Sequence, residues 1–223
     1  VTLFELATVY LPGKEGELPA EPYRLSIGFV DAKGKNGSGF YRMKGYLEAV
    51  LSIAGIEDVD YVPCTDEPTF HPGRCAKIVK NGQTIALFGE LHPATADNYS
   101  FTLPVYLCEL DMEVLFALRR IMMDYRPLPK YPALERDFSF VCDEDTPVGN
   151  IAREIKTSGG KVVSSVELFD IYRGPQVGIG KKSVSFAVML REDDHTMTDT
   201  EADDAIHKIL DKLAEIHGIT LRK

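Results

Sequence analysis

The sequence predicts an α+β fold divided into two domains. With 223 residues, 44% of them hydrophobic, the chain is long enough to bury one large core or two modest ones. Strand-like alternation and amphipathic helical stretches occur in both halves. Between the halves, Pro127, Pro129 and Pro132 interrupt any helix. We therefore expect domains at residues 1–122 and 133–223, joined by a linker at residues 123–132.

The first half is predicted to be a sheet with helices set into it. Apolar residues at every second position from Tyr23 to Phe29 indicate a half-buried strand. Asn81 and Gly82 join two apolar stretches and suit the positive φ angles of a type I′ hairpin turn. The expected elements are strands at residues 3–10 and 23–29, a helix at 40–54, strands at 75–80, 83–91 and 105–110, and a helix at 114–121.

The second half shows the order strand, helix, strand, strand, helix, strand. We expect Thr146 to cap the first helix, with Pro147 in its first turn, and Thr198 with Glu201 to form a capping box on the second. The four strands are expected at residues 137–142, 162–172, 183–191 and 219–222. This order predicts a ferredoxin-like βαββαβ arrangement, with both helices on one face of an antiparallel sheet.

The opposite face of that sheet is expected to be open and to carry polar side chains. Asp170 and Tyr172 lie two positions apart on one strand and so point the same way. Ser139, Ser183 and Arg222 occupy the polar positions of the other strands. A tyrosine ring for stacking, a carboxylate and hydroxyls for base edges, and an arginine are groups that recognise single-stranded RNA.

Cations lie near this face in the sequence. Arg173, Lys181 and Lys182 are candidate contacts to an RNA backbone. Leu168 and Phe169 are consecutive large apolar residues, which indicates a β-bulge that would shift the register of their strand. The alternative interpretation is a solvated sheet face that is polar without binding anything.

Composition argues against several classes of function. The chain has 25 basic and 34 acidic residues, a net charge of -9, so we expect no DNA binding and no RNA binding through bulk charge. Its four cysteines form no CxxC pair, and reduced thiols are expected. No stretch approaches the roughly 20 apolar residues of a membrane span, and no signal-peptide pattern opens the chain. We expect a cytoplasmic protein without membrane contact.

The residues suggest neither a catalytic nor a metal site. Cys64, His71, Cys75 and His92 match no common structural zinc spacing, and both histidines precede prolines at expected turns. The glycine-rich loop at 174–180 lacks a following helix N-terminus for phosphate. Acidic residues between 192 and 204 suit a solvated loop and a helix N-terminus better than a cation site. No cofactor is expected in this chain.

Several motifs resemble those of one family. The second half contains YPALERDFSFV at 131–141, LFDIYRG at 168–174, Lys182-Ser183 and Leu221-Arg222. Together these resemble the ferredoxin-fold anticodon-binding domain that ends bacterial phenylalanyl-tRNA synthetase β subunits. The first half contains LFEL at 3–6, FYRMKG at 40–45, FHPGR at 70–74 and GELHP at 89–93. These are similar to the catalytic-like module of the same subunits.

The resemblance implies a noncatalytic C-terminal portion of a longer enzyme subunit. Residues 1–122 would form part of a class II synthetase-like antiparallel sheet domain that supports assembly with the catalytic α subunit in an α2β2 heterotetramer. ATP and Mg²⁺ would bind elsewhere in the holoenzyme. Residues 133–223 would bind the anticodon of phenylalanine tRNA, with contacts from Ser139, Asp170, Tyr172, Ser183 and Arg222.

Two other functions stay open from the sequence. Ferredoxin-like units also serve as small-molecule sensors, so the fold alone does not decide for RNA. The run from Phe169 to Gly174, together with Ser183 and Arg222, favours RNA, because a sensor has no need of that combination. The chain could also be a scaffold for its α partner with little RNA affinity of its own.

Overall fold

The computed structural model describes residues 1–32, 37–120, 125 and 127–222. Contacts divide the chain into two compact units, Val1–Tyr125 and Arg126–Lys223. Part of the expected linker, at 123, 124 and 126, lies outside the described residues, as does Lys223. Both units combine an antiparallel sheet with helices, so the predicted α+β class is confirmed. No helix in the described part of the chain has both the length and the apolar character of a membrane span.

The first unit contains a six-stranded antiparallel sheet in the order β1-β2-β6-β5-β4-β3. Helix α1 packs Met43, Leu47 and Leu51 against this sheet, at the four-residue spacing of one helical face. The elements are β1 Thr2–Thr8, β2 Tyr23–Val30, α1 Ser38–Ile53, β3 Asp60–Pro63, β4 Phe70–Lys80, β5 Gln83–Leu91, α2 Pro93–Asn98, β6 Val105–Asp111 and α3 Met112–Leu118.

The hairpin between β4 and β5 turns as the sequence predicts. Asn81 and Gly82 have φ angles of 51° and 76°, the left-handed values of a type I′ turn. The sequence did not predict β3 or α2. It also placed the start of α3 at Val114, whereas Asp111 caps the helix from Met112 by accepting backbone hydrogen bonds at 3.0 and 3.1 Å. The predicted end of that helix, Ile121, lies outside the described residues.

The second unit has the ferredoxin-like order β10-β7-β9-β8, with α4 and α5 on one face of the sheet. The predicted capping box at Thr198 and Glu201 is confirmed. The predicted cap at Thr146 is wrong by one residue, because a turn to Asp143 precedes the helix and Pro147 becomes its N-cap. The elements are β7 Leu134–Asp143, α4 Val148–Gly159, β8 Val163–Tyr172, β9 Lys181–Leu190, α5 Asp199–His217 and β10 Thr220–Leu221.

A β-bulge in β8 sets which residues face away from the helices. Leu168 lies opposite Phe186, a core residue, whereas Asp170 lies opposite Ser185. Phe169 is the extra residue between them, as the two adjacent apolar residues predicted. Because of this shift, Asp170 and Tyr172 lie on the face opposite α4 and α5, which we call the open face.

Candidate functional site

A row of polar residues crosses the four strands of the open face. Ser139 on β7 lies opposite Ser185 on β9, and their hydroxyl oxygens are 2.8 Å apart. Ser185 in turn lies opposite Asp170 on β8. At the other side of β7, the backbone N–H of Arg222 donates to the carbonyl of Ser139 at 2.7 Å. The pairing therefore aligns Arg222, Ser139, Ser185 and Asp170 across the sheet.

Tyr172 and Arg222 meet above the centre of this face. Tyr172 lies opposite Ser183, and the guanidinium carbon of Arg222 is 5.1 Å from the centre of the Tyr172 ring. That distance is within the range of a cation–π contact. Arg222 follows β10 and Tyr172 is on β8, so β7 and β9 lie between the starting points of the two side chains. All five residues predicted for anticodon contact thus share one face, and their contact with RNA stays a prediction.

The expectation that Ser183 is accessible on this face is wrong. Ser183 is 1% exposed, although it lies on the face opposite α4 and α5. The cross-strand partner of Ser183 on β8 is Tyr172, whose ring the Arg222 guanidinium contacts. The Ser183 hydroxyl has no hydrogen-bond partner among the described residues. A buried hydroxyl without a partner is uncommon and costs stability.

The loop after β8 holds Tyr172 and Arg222 in place. Gly174 has extended backbone, but a Cβ there would lie 2.3 Å from the Tyr172 hydroxyl oxygen, so the tyrosine ring needs a glycine beside it. Next comes a short 3₁₀ turn, Pro175–Val177, where the Gln176 Oε1 accepts a hydrogen bond from Arg222 Nη2 at 2.8 Å. Sequence reasoning missed Gln176, because no local pattern shows that this loop reaches the end of the chain.

The predicted cations near the face are paired with other groups. Lys182 is buried on the helix-covered face, where its Nζ donates to the carbonyl of Glu144 at 2.6 Å, so it does not lie on the open face and its contact with RNA stays a prediction. Arg173 forms a 2.8 Å ion pair with Glu144, and Lys181 forms one of the same length with Asp143. These two ion pairs are exposed and therefore weak. Contact of Arg173 and Lys181 with an RNA backbone stays a prediction.

A different polar cluster lies in the core of the first unit. Both carboxylate oxygens of Glu90 accept from Arg74 Nη1, at 2.9 and 2.8 Å, and the Tyr106 hydroxyl donates to Glu90 at 2.7 Å. Burial and the Glu90 contact raise the pKa of Tyr106. A Cβ on Gly39 would lie 2.1 Å from the Tyr106 ring, so α1 packs directly on this cluster. Each of its polar groups already has a protein partner.

The residues considered for zinc form local contacts instead. Cys64 donates its thiol to Asp66 at 3.2 Å, and its backbone N–H bonds to the carbonyl of Cys75. Burial raises the pKa of Cys75 to about 12. His71 and His92 each accept a hydrogen bond from a backbone amide two residues ahead. Within the described ranges, no group of three or more His, Cys, Asp or Glu residues is arranged to hold a metal ion.

The acidic segment before α5 is organised around a histidine. His195 lies 2.6 Å from an oxygen of Asp194 and 3.0 Å from one of Glu201, and these contacts raise its pKa. The backbone and side chain of Thr198, followed by His195, lower the pKa of Glu201 to about 2. This carboxylate therefore completes a helix cap.

Comparisons with known proteins match both units. The family profile described as "Phenylalanyl tRNA synthetase beta chain CLM domain" matches residues 1–112, and the one described as "Ferredoxin-fold anticodon binding domain" matches residues 129–222. Over 221 residues, the chain is 35% identical to the phenylalanine–tRNA ligase beta subunit of Clostridium acetobutylicum and 37% identical to that of Clostridium tetani. Each alignment covers 99% of this chain and 27% of the relative, so the chain spans about a quarter of their length.

A solved structure is also similar, at a lower level. A pyrrolysyl tRNA synthetase from Desulfitobacterium hafniense aligns with 55% of this chain and 46% of its own, with 16% identity and a TM-score of 0.40. A score this low does not establish a shared fold.

Proposed function

Because the chain belongs to the phenylalanyl-tRNA synthetase beta-chain family, we propose that it is the C-terminal part of a phenylalanine–tRNA ligase β subunit and that its second unit binds the anticodon of phenylalanine tRNA. One observation supports the site most strongly. Five residues from the four strands and their ends share the open face: Ser139, Asp170, Tyr172, Ser183 and Arg222.

Each group on this face suits a part of a single-stranded nucleotide. The Tyr172 ring can stack on a base, which is typical of single-strand recognition. The Asp170 carboxylate accepts from base amino groups, and the hydroxyls of Ser139 and Ser183 can donate to or accept from base edges. Arg222 supplies a charged donor for a phosphate or a base. The unpartnered Ser183 hydroxyl supports this assignment, because an RNA acceptor or donor would satisfy it.

We assign no aminoacylation chemistry to this chain. ATP and Mg²⁺ would act at the α subunit, and two described features that could otherwise suit a nucleotide phosphate do not fit one. The Arg74 guanidinium is paired with Glu90, and the glycine-rich loop after Tyr172 leads into strand β9 instead of a helix N-terminus. On this division of labour, we infer that the protein acts in the cytoplasm with the rest of translation.

We infer that the first unit, which contains the domain expected at residues 1–122, supports assembly with the α subunit. Strand β1 is an edge strand that exposes large apolar side chains: Leu3 is 68% exposed, Phe4 78% and Leu6 56%. Exposed apolar groups on a sheet edge are typical of a surface that another polypeptide covers. Co-expression with the α subunit tests this. We expect co-purification that is weakened by Phe4→Asp, and separation of the wild-type chains would contradict the assignment.

Binding of the purified chain to phenylalanine tRNA tests the RNA assignment. The comparison is with the same tRNA carrying replaced anticodon bases, at two salt concentrations. Base readout predicts a preference for the native anticodon that survives the higher salt, because stacking and base-edge hydrogen bonds are screened less than phosphate contacts. Equal and salt-sensitive binding, or none, would contradict base readout and leave the chain as a scaffold.

A further inference from the structure

We propose that Gln176 is a positioning residue that holds Arg222 across the open face when no RNA is bound. On this proposal, RNA recognition requires Arg222 to exchange the Gln176 amide for an RNA acceptor. The inference rests on the proposed anticodon site and adds a residue and a binding step to it. The two residues are 46 positions apart in the chain, and their side chains meet at 2.8 Å.

Three contacts fix the course of the Arg222 side chain. Its backbone N–H bonds to the carbonyl of Ser139, which anchors the residue beside β7. Its Nη2 donates to Gln176, and its guanidinium lies over the Tyr172 ring, which belongs to β8. In the sheet order β10-β7-β9-β8, two strands separate the position of Arg222 from the strand of Tyr172, so the two side chains extend toward each other across the open face.

Gln176 is presented by an anchored turn. The backbone N–H of Val177 donates to the carbonyl of Gly174 at 3.1 Å, which closes the turn. The Val177 side chain is 7% exposed and holds the turn to the protein, while Gln176 itself is exposed. The amide therefore has a fixed place from which to bind Arg222. This position would be hard to maintain in a freely moving glycine loop.

This arrangement covers the groups that would read a base. The Arg222 guanidinium occupies one face of the Tyr172 ring, and Ser183, the cross-strand partner of Tyr172, is 1% exposed. A base that stacks on that ring face and reaches Ser183 must displace the guanidinium. Exchange is favourable because a guanidinium binds phosphate more strongly than it binds a neutral amide.

Two substitutions of Gln176 test the proposal, because they should change the affinity for RNA in opposite directions. Gln176→Ala should release Arg222, so the anticodon stem-loop should associate faster and bind about threefold tighter or more, since the competent fraction of the protein rises. Gln176→Glu should hold Arg222 as an ion pair and weaken binding, with a smaller deficit at high salt. Gln83→Glu, an exposed position in the first unit, controls for the added charge and should leave the affinity unchanged.

A readout without RNA separates this proposal from the anticodon assignment. In nuclear magnetic resonance spectra of the free protein, Gln176→Ala should shift the Tyr172 ring signals and the Arg222 side-chain N–H signal, because the guanidinium leaves the ring. Unchanged signals would overturn the proposal even if no variant binds RNA. Weaker RNA binding by Gln176→Ala would also overturn it, since Gln176 would then favour the bound state. Absence of binding by the wild-type chain would count against the anticodon site alone.

Discussion

Each of the two units buries a polar group, and the two buried groups differ in whether they have hydrogen-bond partners. In the first unit, Glu90 is 9% exposed, and its carboxylate accepts from Arg74 and Tyr106. In the second unit, Ser183 is 1% exposed, and its hydroxyl has no partner in the described part of the protein. The Glu90 cluster packs against helix α1, whereas Ser183 lies on the open face as the cross-strand partner of Tyr172.

This difference separates a structural cluster from a candidate binding site. A buried polar network that is fully satisfied stabilises one conformation and leaves no group for a ligand. A buried hydroxyl without a partner costs stability, and the cost is recovered if a ligand supplies the missing hydrogen bond. The Glu90 cluster is therefore interpreted as structural and Ser183 as part of a binding surface, although both lie in sheets.

The largest effect is expected from Glu90→Ala. This change leaves the Tyr106 hydroxyl and the partly buried Arg74 guanidinium without their partner, so the free energy of unfolding should fall by about 2–3 kcal/mol. Urea denaturation followed by circular dichroism measures this loss. Glu15→Ala, at an exposed position, is the control and should change little. A similar stability for both variants would contradict a structural role for the cluster.

The next largest effect concerns RNA. Tyr172→Ala should weaken binding of phenylalanine tRNA by roughly 1–3 kcal/mol, the range for loss of one stacked base. Fluorescence anisotropy of labelled tRNA measures it. Tyr99→Ala, which removes a tyrosine that is 71% exposed in the first unit, is the matched control and should bind like the wild type. Equal affinities for the two variants would mean that Tyr172 does not stack on the RNA.

Two serine substitutions sharpen the comparison within the open face. Ser183→Ala removes a hydroxyl without a partner, so stability should stay the same or rise by up to about 1 kcal/mol while tRNA affinity falls. Ser185→Ala breaks the bond to Ser139 and should lower stability by about 0.5–1.5 kcal/mol. Thermal melts and tRNA titrations of both variants provide the data. A destabilised Ser183→Ala with unchanged tRNA affinity would reverse the interpretation.

The smallest effect is expected at the exposed cap of α5. Contacts with Asp194 and Glu201 raise the pKa of His195 above its ordinary value of 6.5. Below pH 6.5, the protonated histidine therefore makes its full contribution to the stability of the folded state. This contribution is lost as the pH rises through the raised pKa. The melting temperature of the wild type should therefore fall more than that of His195→Gln between pH 6 and pH 9. Parallel pH profiles would show that the contact contributes nothing.

Strand alternation predicted which residues share the open face, although Asp170 and Tyr172 lie there only because the β-bulge shifts the register of β8. It placed Ser139, Tyr172 and Ser183 together, because side chains on a strand alternate and cross-strand partners share a face. The same rule puts Lys182 on the face of Val184, so its position away from the open face was predictable from the sequence. Alternation predicts the face of the sheet on which a side chain lies, but it does not predict which other side chains pack over it.

The contacts of Arg222 with Gln176 and with the Tyr172 ring could not be predicted from the sequence. The Gln176 contact joins the end of the chain to a loop 46 residues earlier, which leaves no periodic signal. The pairing of Arg74 with Glu90 is equally non-local, since it joins neighbouring strands β4 and β5. Short elements were missed for a related reason: β3 has four residues and α2 six, too few for a clear period.

The most direct test of the account is a double-mutant cycle between protein and RNA. It needs four affinities: wild-type protein and Tyr172→Ala, each with native phenylalanine tRNA and with tRNA carrying replaced anticodon bases. If Tyr172 contacts the anticodon, the two changes should be coupled by about 1 kcal/mol or more, because residues in contact are not additive. Additive losses would show that the open face does not read the anticodon and would contradict the central claim.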